Sequence, residues 1–191
     1  IVRNIPFNSQ SGDDMMRAKV IKSKTYIFNA DGTMEDGRVI LGYDTPADYK
    51  GGAVSKKLTA GVYYFNESDG SSKGQMITGK TTVTKDGEDY YYYFDKTTGR
   101  AVDNVVKDGV VYGPDGERII DAEDGNTNAI VTLPADTYYN KKVNGTTCEY
   151  IKAGSRVIVS STGKLRTSGT VKVDGVKYKV NTNKNGKWGV D

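Results

Sequence analysis

The sequence predicts an all-β fold, a β-hairpin solenoid of ~20-residue repeats followed by a small C-terminal β region. Three observations carry this expectation. Asp-Gly and Asn-Gly pairs recur from Asp31-Gly32 to Asn185-Gly186, and such pairs suit two-residue hairpin turns because both residues accept positive φ. The runs between them are rich in Tyr and alternate apolar with polar residues, without sustained helical periodicity. A Tyr/Phe strand, a Gly turn and an apolar residue about two positions later return several times along the chain. Composition agrees. Of 191 residues 36% are hydrophobic, below the ~45–50% of an ordinary globular domain. With 14 Tyr, a thin, Tyr-faced structure fits better than one large core.

Taken in order, Asp13–Ile21 is the one stretch with weak helical spacing, and Met16 is read as the end of a truncated first repeat. Tyr26-Ile-Phe28 leads through Asp31-Gly32 to Met34 and a closing Gly37. Residues 43–60, with Pro46 and Gly51-Gly52, interrupt the pattern. Tyr63-Tyr-Phe65 then leads to Gly74-Gln-Met76-Ile-Thr-Gly79, with Ser71–Lys73 as an insertion. Thr81 to Phe94 alternates around Asp86-Gly87, and its Tyr90–Phe94 half opens a third repeat that runs to Gly99 and Val102. Asn104 to Tyr112 alternates around Asp108-Gly109 and continues to Gly116 and Ile119 as a fourth. Asp121–Tyr150 interrupts again, with an acidic turn at Asp121–Gly125. Thr170–Val180 around Asp174-Gly175 is the clearest hairpin, while Gly163-Lys-Leu165 and Gly186-Lys-Trp188 read as degenerate repeats. The division expected is a repeat region over 1–125 and a C-terminal β region over 126–191. Units this short cannot bury their own apolar face, so they are expected to stack on their neighbours.

The same residues exclude most chemistry. The chain has no histidine and a single cysteine, Cys148, which removes Ser-His-Asp, Cys-His and intrachain disulfide arrangements. A net charge of +3 from mixed signs is no nucleic-acid footprint. No run approaches the ~18 apolar residues of a membrane-spanning helix. Glu67 and Asp69 are the carboxylate pair one would test for glycoside hydrolysis, yet they lie in turn sequence where simple solvation is the expectation. Asn181-x-Asn183-x-Asn185-Gly186 has the spacing of a calcium loop. Its ligands would be neutral amides beside Lys184, which suits a hairpin turn better than a hard cation. No metal and no cofactor are expected. The chain opens at Ile1 without Met, and is expected to be a segment of a longer exported precursor.

Tyr63-Tyr-Phe65 with Gly74-Gln-Met76-Ile-Thr-Gly79, and Tyr26 to Gly37, resemble the cell-wall-binding repeats of Gram-positive surface proteins. That family includes choline-binding modules, glucan-binding repeats of glucosyltransferases and the C-terminal repeats of clostridial toxins. The resemblance implies an extracellular hairpin solenoid that binds choline on teichoic acids, glucans or other glycans. In the family pattern a Trp follows the closing Gly; here Arg38, Lys80 and Thr170 stand in its place, and Trp188 is the only Trp. Trp is the best face for a quaternary ammonium, so the missing Trp residues turn the expectation from choline toward sugar rings stacked on Tyr and Phe.

The candidate ligand contacts are Tyr26, Phe28, Tyr63, Tyr64, Phe65, Tyr91, Tyr92, Tyr93, Phe94, Tyr112 and Trp188. Strand alternation sets Tyr91 and Tyr93 on one face and Tyr90, Tyr92 and Phe94 on the other, without saying which looks outward. The function expected is a non-catalytic extracellular module that attaches a larger surface or secreted protein to cell-wall polymer or glycan through Tyr/Phe-lined grooves. The alternative is a structural spacer or protein-interaction segment with every aromatic internal.

Overall fold

The computed structural model describes residues 3–4, 15–46, 48–49, 52–53, 56–120, 127–143, 145–182 and 188–190. Among the described residues every regular element is a β-strand and none is a helix. The chain divides into two compact units, Ile1–Ala101 and Val102–Asp191. The composition break near residue 125, the acidic turn 121–125 and most of the Asn-rich loop at 183–186 lie outside the described residues.

The first unit contains β1 (Arg3–Asn4), β2 (Arg17–Ile21), β3 (Lys24–Phe28), β4 (Gly37–Leu41), β5 (Asp48–Tyr49), β6 (Gly52–Ala53), β7 (Gly61–Phe65), β8 (Gly79–Lys85) and β9 (Glu88–Phe94). Antiparallel pairs join β2 to β3, β5 to β6 and β8 to β9, while β4 lies between β1 and β7. The described part of the stretch Asp13–Ile21, which begins at residue 15, forms no helix. Arg17–Ile21 is extended and pairs residue for residue with β3, where the β-branched Val20 and Ile21 prefer to be. Its turn, Lys22-Ser23, takes φ of 48° and 65° without a glycine.

The second unit contains β10 (Val105–Lys107), β11 (Val110–Tyr112), β12 (Asn128–Thr132), β13 (Thr137–Val143), β14 (Thr146–Ile151), β15 (Arg156–Ser160), β16 (Thr170–Val173), β17 (Val176–Thr182) and β18 (Trp188–Val190). Its sheets run β11-β10-β13-β14, β12-β15 and β16-β17-β18. Three Asp-Gly turns adopt the positive φ angles that their sequences require. These are 53° and 83° at Asp86-Gly87, 52° and 81° at Asp108-Gly109, and 48° and 81° at Asp174-Gly175.

The repeats share one hydrogen-bonding register. The last residue of each aromatic strand bridges the residue two after the turn glycine: Phe28 with Met34, Phe65 with Met76, Phe94 with Ala101 and Tyr112 with Arg118. A second bond closes the first, second and fourth returns: Glu35 N–H to Ile27 C=O at 3.0 Å, Ile77 N–H to Tyr64 C=O at 2.8 Å and Ile119 N–H to Val111 C=O at 2.9 Å. A third bond joins one repeat to the next. Met76 N–H donates to Thr25 C=O and Ala101 N–H to Val62 C=O, both at 2.8 Å, and in the second unit Leu165 N–H donates to Gly109 C=O at 2.9 Å.

This register corrects two positions. The bridging residues of the third and fourth repeats are Ala101 and Arg118, one before Val102 and Ile119. The backbone counts from the glycine at positive φ, Gly99 or Gly116, and not from the most apolar side chain. The bridging side chain also covers the next glycine. A Cβ on Gly74 would sit 2.6 Å from Met34 Cε, and one on Gly163 would sit 2.6 Å from Arg118 Cγ.

Burial is divided among small clusters. Met16, Ile27, Leu58, Tyr63 and Phe65 form one in the first unit, and Val83, Tyr92, Phe94 and Ala101 another. In the second unit Val111, Leu133, Ile151 and Val159 sit in one cluster, and Ile158, Val173 and Val180 in another. Several modest cores linked by neighbour contacts are what a 36% hydrophobic chain can supply.

Candidate functional site

The candidate rings separate by depth. Tyr63, Phe65, Tyr92 and Phe94 are no more than 2% exposed, and Tyr93 and Tyr112 are also buried. Tyr26, Phe28, Tyr64 and Tyr91 are half-buried. Trp188 falls in β18, but its side chain lies outside the described residues. Alternation along β9 explains the inner set: Tyr92 and Phe94 share a face with Tyr90 and pack against Val83, Ala101, Val62 and Tyr64. The rings of Tyr92 and Phe94 stack at 5.3 Å and 20°, and those of Tyr64 and Phe94 at 6.1 Å and 16°.

Arg38, standing where the repeat pattern has Trp, is buried at 7% exposure. Its guanidinium donates to the Tyr92 hydroxyl, with Cζ 5.7 Å from the Tyr90 centroid and 5.9 Å from that of Tyr92. These two rings therefore carry an internal cation, which is electrostatically attracted to their faces.

Tyr64, opposite Arg38 in the β4–β7 ladder, donates to Glu67 Oε2 at 2.9 Å. Desolvation first, and then the Glu67 carboxylate, push its phenol up to about 12. Lys73 lies between Asp69 at 2.9 Å and Asp36 at 3.4 Å. The Lys73 hydrogen bond holds the Asp69 carboxyl below its ordinary value. Glu67 thus serves as a phenol acceptor and Asp69 as an ion-pair partner; the lowered Asp69 carboxyl is the reverse of the raised acid that a glycosidase needs.

The β2–β3 hairpin presents two of the half-buried candidate rings, Tyr26 and Phe28. Its register sets Arg17 opposite Phe28, Lys19 opposite Tyr26 and Ile21 opposite Lys24, and directly opposed residues share a face. Ala18 and Ile27, on the other face, are fully buried. Tyr26 and Phe28 therefore lie on the outer face beside cationic side chains. Their counterparts two and zero residues from the ends of β7 and β9 are the buried Tyr63, Phe65, Tyr92 and Phe94.

The second unit contains a ring pair that sequence reasoning did not nominate. Tyr138 and Tyr150, opposite one another in β13 and β14, are 40% and 41% exposed. Their centroids lie 5.4 Å apart at 68°, an edge-to-face contact. Lys152 Nζ is 5.9 Å from the Tyr150 ring and 2.8 Å from Asp136 Oδ2. Alternation would have set Tyr138 apart from its neighbours, but only strand pairing brings Tyr150 to it. Cys148 is buried in β14, its thiol against the Tyr150 carbonyl at 3.4 Å.

No protein-family model matches the chain, and no curated protein matches its sequence. Among solved structures, a truncated alternansucrase from Leuconostoc mesenteroides is similar at 18% identity, over 92% of this chain and 12% of that one, with a TM-score of 0.34. The modular autolysin LytC from Streptococcus pneumoniae is 18% identical over 86% of this chain and 32% of that one, TM-score 0.33. Choline binding protein F from Streptococcus pneumoniae is 17% identical over 86% of this chain and 66% of that one, TM-score 0.30. The chain thus spans well under half the length of the first two.

Proposed function

We propose that the chain is a non-catalytic extracellular binding module that attaches a larger surface or secreted protein to cell-wall polymer or glycan, its hairpins stacked in series within each unit. The observation that carries this reading is the unequal depth of equivalent rings. Tyr26 and Phe28 keep ring surface in water where their counterparts in the next two repeats are buried. Buried rings hold neighbouring repeats together, as does Tyr64 where it stacks on Phe94; half-buried Tyr26, Phe28, Tyr64 and Tyr91 each keep some surface for a ligand. An amphipathic ring offers an apolar face to a sugar and a hydroxyl to its substituents. Each contact is weak, and repetition along a polymer supplies avidity through effective concentration.

Tyr90 and Tyr92 are a poor cage for choline, because Arg38 already lies against both rings and a second cation there would meet like charge. The Glu67/Asp69 pair does not suit glycoside hydrolysis, because the Lys73 hydrogen bond holds the Asp69 carboxyl below its ordinary value, opposite to what a glycosidase acid needs. A second reading, the spacer, draws support from the depth of Tyr63, Phe65, Tyr92, Phe94 and Tyr112. A glycan array and a choline titration, both followed by Tyr fluorescence, separate the two. Saturable glycan binding weakened by Tyr26→Ala or Tyr64→Ala supports the module. A chain that gives no ligand-dependent signal at millimolar concentration is a spacer.

A further inference from the structure

We infer that the outer face of the β2–β3 hairpin binds a polyanionic glycan, a saccharide chain with an anionic group on successive units. This rests on the glycan-binding reading above and names the chemistry of its ligand.

From Arg17 to Phe28 the chain carries Arg17, Lys19, Lys22 and Lys24 and not one acidic residue. Folding then sorts these charges: Ala18 and Ile27 turn inward, while Lys19, Lys22 and Lys24 are exposed. Register places Lys19 directly beside Tyr26 and Arg17 directly beside Phe28, at the ~5 Å of opposed Cβ atoms. The nearest acids beyond β3 are engaged. Asp31 accepts from the Thr33 amide at 2.9 Å and hydroxyl at 2.6 Å; Glu35 is buried and accepts from the Asn29 amide.

The result is a half-buried ring, Tyr26, with exposed Lys19 across the ladder and exposed Lys24 two residues back on the same face of the strand; Arg17, across from Phe28, already donates to the Met15 and Met16 carbonyls. Along β3 the two rings follow at ~6.8 Å, the two-residue advance of an antiparallel strand. A neutral glucan would use the rings and leave the lysines idle. A glycan with a phosphate or carboxylate on each unit would use both, a sugar face on the ring and an anion on the adjacent ammonium. The patch is a single hairpin face on a chain whose net charge is +3, without the extended basic field that nucleic-acid binding requires.

The test titrates the whole chain with dextran and with phosphorylated dextran of the same length, at low and high salt. Phosphorylated dextran is expected to bind at least about tenfold more tightly, with the difference shrinking as salt rises. Lys19→Glu/Lys24→Glu, and more mildly Lys19→Gln/Lys24→Gln, should weaken it by about tenfold or more with no change in thermal transition. Lys141→Glu/Lys142→Glu in the second unit should bind as the unaltered chain does. Equal binding of both dextrans, lost in Tyr26→Ala but not in the lysine variants, overturns the charge inference and leaves the module reading standing. Absence of binding to either dextran overturns the charge inference, and the glycan array then decides the module reading. Equal affinity for a single-stranded oligonucleotide or anionic lipid vesicles, lost in the same lysine variants, also overturns it, because the face would then recognise charge without a sugar.

Discussion

The close approach of Met76 to Gly99 gives a sharp test of how the repeats are joined. In Gly99→Ala the new methyl carbon would stand 3.0 Å from both Met76 Cγ and Met76 Cε, with the sulfur nearer still. Non-bonded carbons normally rest at about 3.5–4.0 Å, so Met76 must move. The backbone adds its own cost: φ at residue 99 is 74°, and an L-residue with a Cβ in the left-handed region loses about 1–2 kcal/mol. Overpacking a filled site costs a further ~1–3 kcal/mol, at the lower end here because a methionine bends easily. The expected total is about 2–4 kcal/mol, read as a lowered urea midpoint at unchanged m-value. Gly32→Ala is the matched control. Its φ is 85° and its Cβ would meet nothing within 4 Å, so only the backbone share of about 1–2 kcal/mol should appear. Met76→Ala placed on top of Gly99→Ala should recover the steric part and show a coupling of about 1–2 kcal/mol in a double-mutant cycle. If Gly99→Ala costs no more than Gly32→Ala, and Met76→Ala adds its own loss independently, the two repeats are not joined through this contact.

Arg38→Ala should destabilise the chain by about 1–3 kcal/mol, because the buried Tyr92 hydroxyl loses a charged donor; chemical denaturation measures it, and Arg38→Lys should restore only part, lacking the planar fork. Tyr64 should ionise late, near 12, against about 10 for an ordinary phenol. A folded-state pKa above the unfolded one means that the stabilising contribution is whole below pH 10 and is lost as pH rises from 10 to 12. Tyrosinate absorbance followed by alkaline titration should therefore lose one late component in Tyr64→Phe, and that variant should keep more of its neutral-pH stability across this window.

Much of the local structure could be read from the chain. Asp86-Gly87, Asp108-Gly109 and Asp174-Gly175 determine their own turns, because positive φ is a property of two adjacent residues and needs no distant partner. Alternation likewise separated Tyr92 and Phe94 from Tyr93 in β9. Where a repeat's bridge falls was legible in principle, since the count from the turn glycine selects Ala101 and Arg118; apolarity pointed one residue too far. Lys22-Ser23 carried no turn signal at all, and its left-handed pair is stabilised by five ladder partners between β2 and β3.

What the sequence by itself determined is therefore the all-β character, the turns and the period-two faces, all of which depend on neighbours within a few residues. Which face meets water was decided by tertiary structure. Tyr26 with Phe28 and Tyr63 with Phe65 have nearly the same local pattern, yet the second pair is sealed in a cluster with Met16, Leu58 and Val39 and the first is not. Tyr138 and Tyr150 meet only because β13 and β14 pair. Solvent exposure is a property of what packs on a surface, and in a chain of small shared cores much of that packing comes from another repeat.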